Sequence, residues 1–81
     1  MMDPLLDALL IESEYRCGDH LQTAQAHPAN DAGLRLLELE LRTDAGDLYR
    51  VSGFIRYTGT THYEARLAVE DWWLGLRGVG L

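Results

Sequence analysis

At 81 residues, the chain is long enough for one domain and too short for two. Apolar residues make up 47% of it, and a single cysteine, Cys17, excludes an internal disulfide, so packing or an added partner must complete a modest core. Thirteen acidic residues against seven basic ones, all arginine, give a formal net charge of −6 and exclude the clustered positive charge that phosphate binding demands.

In chain order, Asp3-Pro4 opens the first element. An aspartate accepts hydrogen bonds from the orphan amides of a helix start, and proline suits the first helical position. A helix is predicted from Leu5 to about Arg16, with Leu5, Leu6, Leu9 and Leu10 as its apolar stripe, extended by Cys17 and ended by Gly18. Asp19 to Ala26 reads as a short second helix stopped by Pro28, and residues 28–33 carry loop chemistry.

A β-hairpin comes next. Leu37, Leu39 and Leu41 alternate with Glu38, Glu40 and Arg42, and Val51, Gly53, Ile55 and Tyr57 alternate with polar residues after it. Asp44-Ala45-Gly46 forms a three-residue loop whose glycine takes the left-handed position. That loop sets Leu41 opposite Tyr49, Glu40 opposite Arg50 and Leu39 opposite Val51, so turn and register agree. His62 to Val69 alternates well enough for a third strand. Thr61-His62-Tyr63-Glu64, however, has capping-box spacing, and good helix formers follow it, so a helix is expected to Gly75. Its core face is Ala65, Ala68, Val69, Trp72 and Leu76.

The fold class expected is α+β: one domain, 1–81, with an N-terminal helix, an antiparallel hairpin and a C-terminal amphipathic helix packed on one sheet face. Residues 1–2 and 77–81 are expected to be loose ends. The N-terminal residues lack a basic signal-peptide stretch and no apolar run approaches ~18 residues, so a cytoplasmic location without membrane insertion is expected.

No catalytic or metal signature stands out. Cys17, His20, His27 and His62 offer thiolate and imidazole, but no second close pair completes a tetrahedral zinc site. Ser13 and Ser52 lack a nucleophile elbow, and the glycines form no phosphate-cradling pattern. No cofactor, metal or catalytic residue is therefore expected.

The candidate partner-binding residues form two groups. Asp3, Asp7, Glu12, Glu14 and Asp19 make the N-terminal third the more negative surface, suited to a basic protein. Tyr63, Leu67 and Leu74 stand opposite the core face of the second helix, a stripe for the first helix, a docking partner or a dimer seam. Of the adjacent Trp72 and Trp73, which point about 100° apart, Trp73 is expected at the rim. Phe54 projects from the polar side of its strand beside two arginines. The leading expectation is a small non-enzymatic protein-binding module that blocks a basic, nucleic-acid-binding protein. In class it is similar to phage-encoded inhibitors, including anti-CRISPR proteins. A homodimeric accessory subunit is the alternative, and a small metal- or thiol-dependent enzyme the second alternative.

Overall fold

The computed structural model describes the backbone of residues 3–78 and the side chains of residues 3–75. The elements run α1 (Pro4–Cys17), β1 (His20–Ala26), β2 (Leu34–Arg42), β3 (Leu48–Arg56) and α2 (His62–Gly78). The three strands form one antiparallel sheet in the order β1-β2-β3, and both helices pack on one face of it.

Both helix starts follow the local chemistry expected of them. Asp3 caps α1, its side chain accepting from the Leu5 amide at 3.0 Å, and Pro4 opens the helix. At α2 the capping box is complete. Glu64 N donates to Thr61 Oγ1 at 3.1 Å, while Glu64 Oε2 accepts from the amides of Thr60 and Thr61. The β2–β3 hairpin has the register its loop predicts, with Leu41 opposite Tyr49, Glu40 opposite Arg50 and Leu39 opposite Val51. Gly46 closes the loop at φ 93°, where a side chain would be strained.

One element differs from expectation. Residues 20–26 form a strand, not a short helix, and add a third strand ahead of the hairpin, while residues 62–75 are helical as expected. Leu21, Ala24 and Ala26 pack toward the core, but the register shifts between Leu21 and Thr23. That irregularity inserts an extra residue and erases the strict alternation by which a strand is recognised. Alanine and glutamine favour helix, but pairing with the open edge of β2 overrides the propensity.

The core lies between sheet and helices. Leu5, Ala8 and Leu9 of α1 meet Leu37, Leu39, Leu41 and Ile55 of the sheet and Ala65, Val69, Trp72 and Trp73 of α2, all buried. Trp73, expected at the rim, is 6% exposed and packs edge to face with Trp72, centroids 5.3 Å apart. The buried arc of α2 is wide because it packs on both sheet and α1, so two successive residues find cover. Trp72 lies directly over Gly53, where a Cβ would stand 2.8 Å from the indole nitrogen. The strand needs glycine there for this close approach.

The expected stop at Gly75 does not occur, and α2 continues to Gly78. A glycine ends a helix only when it turns left-handed, and Gly75 keeps a negative φ. Arg77 and Gly78, expected to be loose, are therefore helical. Residues 1–2 and 79–81, named with them as loose ends, lie outside the described residues, as does the side chain of Leu76.

Candidate functional site: the outer face of the helix pair

The chain alternates direction at every element, so α1 and α2 run parallel, side by side. Ion pairs sew their seam. Glu12, 3% exposed, accepts from Arg16 Nε at 2.8 Å and from Arg66 at 3.1 Å. Arg16 then reaches Glu70 at 3.0 Å. Burial works to raise the pKa of Glu12, but the two arginine bonds outweigh it and hold the carboxyl below the usual glutamate range.

The acidic N-terminal group therefore divides. Glu12 is removed from the solvent-facing surface by the seam. Asp3 is spent on the α1 cap and on Arg35, whose guanidinium donates to it at 2.6 Å and lowers its pKa. Asp19 accepts from the Tyr49 hydroxyl at 2.6 Å, a bond that pushes the tyrosine pKa up to about 12. The side chains of Asp7 and Glu14 alone of the five have no hydrogen-bond or ion-pair partner among the described residues; Glu14 is exposed and Asp7 half-buried on α1.

Beside these two carboxylates stand residues that the apolar-stripe reading of α1 passed over. Ile11 is 44% exposed and Tyr15 81% exposed. Asp7, Ile11, Glu14 and Tyr15 recur at the spacing of one helix face, opposite the buried Leu5 and Leu9, and that spacing was the signal available in the sequence. On α2, Tyr63, Leu67 and Leu74 are 71%, 47% and 51% exposed, with Asp71 exposed next to them. The first helix does not cover this stripe. It packs on the flank of α2 that carries Arg66 and Glu70.

The opposite side of the molecule is the other face of the sheet, which no described helix covers. Phe54, 58% exposed, lies there with Arg42, Arg50 and Arg56. Its carboxylates are largely matched. Glu38 lies 2.5 Å from His27 Nε2, and Glu40 lies 3.6 Å from Arg50. A depression of about 260 Å³ opens between Thr23, Gln25, Glu38, Glu40 and Arg50.

The groups considered for metal or thiol chemistry do not converge. Cys17 ends α1, His20 begins β1, His27 follows its last residue, and His62 begins α2. His20 bonds Asp44, and no three metal-ligating side chains are grouped among the described residues. Burial and the nearby Asp19 push the Cys17 thiol pKa up, away from the thiolate that nucleophilic chemistry uses. No described helix is long and apolar enough to cross a membrane. Compared with protein-family models, curated proteins and solved structures, the chain matches none.

Proposed function

We propose that this chain is a non-catalytic binding module that docks the outer face of its helix pair on a basic protein and blocks nucleic acid from that partner. One observation carries the reading. Ile11, Tyr15, Tyr63, Leu67 and Leu74 stay exposed on the helix pair among the carboxylates of Asp7, Glu14 and Asp71, while Arg16 and Arg66 are tied into the seam. Exposed aromatic and aliphatic anchors ringed by one sign of charge suit a protein interface, where apolar groups supply affinity and charges steer encounter. With Arg16 and Arg66 paired internally, the charge that the described residues of this face present outward is negative. That favours lysine- and arginine-rich partners, the same surfaces that hold phosphates.

The test is retention of a basic protein from host lysate across a salt ladder, on wild type and on a variant carrying Asp7→Lys, Glu14→Lys and Asp71→Lys. Wild type should release a nucleic-acid-binding protein at moderate salt, and adding nucleic acid should displace it. The charge-reversed variant should not retain it. Equal retention by both proteins, or retention indifferent to salt, would refute the acidic-face mechanism.

A further inference from the structure

The two sheet edges are built differently. On β1 the edge is seven residues long, its register is broken between Leu21 and Thr23, and the Gln22 side chain donates to the His20 carbonyl at 3.3 Å. Bulges and local caps of this kind blunt an edge against added strands. On β3 the edge is nine residues long, with unbroken register from Leu48 to Arg56, no proline and no bulge.

Which groups of β3 look outward follows from the hairpin. The Thr43 amide donates to the Asp47 carbonyl at 2.9 Å, so bonding alternates from that pair onward. Tyr49, Val51, Gly53 and Ile55 face β2. Leu48, Arg50, Ser52, Phe54 and Arg56 send their amides and carbonyls to the open edge. Across β2 the pattern agrees, since the carbonyls of Leu34 and Leu36 accept from the β1 side.

The side chains of those same five residues all stand on the uncovered sheet face. Arg50 is 81% exposed and only 3.6 Å from Glu40, and Arg56 bonds a backbone carbonyl, that of Ala32, at 3.3 Å. Phe54 lies between them. A second copy suits this edge poorly. Its β3 would bring two more arginines to the same face, and its α2, held down on β3 by Trp72 over Gly53, would arrive at the same edge. An extended segment without its own helix meets neither obstacle.

We propose that the open edge of β3 accepts an acidic, extended segment of another protein as a fourth, antiparallel strand, with carboxylates facing Arg50 and Arg56 and an apolar residue facing Phe54. The main-chain ladder supplies the affinity and the alternate side chains the selectivity. The net charge of −6 repels such a segment at long range, so recognition rests on the ladder and the two local pairs. This surface is separate from the helix face, and its test is independent of that reading.

The experiment titrates the isotopically labelled full chain with a capped, threonine-rich peptide carrying valine to face Phe54 and glutamates to face Arg50 and Arg56. Hydrogen exchange of the Arg50, Ser52 and Phe54 amides should slow on binding. A peptide with lysines for the glutamates should bind about tenfold more weakly. Arg50→Glu with Arg56→Glu, both exposed positions, should invert that preference. Unchanged exchange at the three amides would overturn the proposal. So would equal binding of both peptides, or slowing that follows protein concentration without peptide, which would make a second copy the occupant.

Discussion

On the helix side, Arg16 and Arg66 are bound to Glu12 and Glu70, and the carboxylates left over face solvent with Ile11, Tyr15, Tyr63, Leu67 and Leu74. Across the sheet the balance reverses. Glu38 and Glu40 have basic neighbours, while among the described residues Arg42 and Arg56 bond only the carbonyls of Gly46 and Ala32. Residue counts cannot separate the two faces, because both carry acids and arginines. The difference lies in spacing. A glutamate four residues before an arginine on one helix, with a second arginine on the parallel helix, ties two arginines to one buried carboxylate. On a strand, charges two apart share a face but meet only across the ladder, and loosely.

The largest effect should come from the layer that separates the faces. Leu37→Ala removes a side chain with no exposure and should cost about 3 kcal/mol in denaturant unfolding. A loss below about 1 kcal/mol would mean that the helices do not seal the core.

The seam comes next. Replacing Arg16 and Arg66 by methionine strands a buried carboxylate at Glu12, and the variant should melt at lower temperature than wild type at neutral pH. The sign of the pH dependence follows from the lowered pKa of Glu12 in the folded state. Its contribution is present above the ordinary glutamate value near 4.5 and is lost as pH falls through the lower folded value. The gap between variant and wild type should therefore narrow on acidification, as the stranded carboxyl takes up a proton. A gap that widened with acid would reassign the stability of the seam to packing.

The smallest effect belongs to the outer sheet face. Phe54→Ala should change stability by no more than about 0.5 kcal/mol, since its ring is 58% exposed. In the same variant the valine-bearing peptide should lose affinity at the β3 edge. A stability loss above about 1 kcal/mol would show that Phe54 serves the fold and would erase the contrast between the faces.

Local signals in the sequence were enough for three parts of this fold. Asp3-Pro4, the Thr61–Glu64 capping box and the Asp44-Ala45-Gly46 loop each act within a few residues, so α1, α2 and the hairpin register are legible from neighbours alone. Part of the candidate site was legible too. Tyr63, Leu67, Leu74 and Phe54 are exposed where their helical and strand periods put them. Ile11 and Tyr15 follow the same rule on α1, opposite its leucine stripe.

The rest depended on contacts distant in sequence. Whether residues 20–26 are helix or strand was decided by the open edge of β2, with a register shift hiding the alternation. Glu12 reads as one more surface acid until Arg66, 54 residues away, closes the seam over it. Trp73 became core only because two neighbours, sheet and α1, widen the buried arc of α2. Local chemistry set the elements and their phases, because caps, turns and periodicity act within a few residues. Only the tertiary structure decided which charges are spent and which remain free, because that depends on which elements the fold brings together.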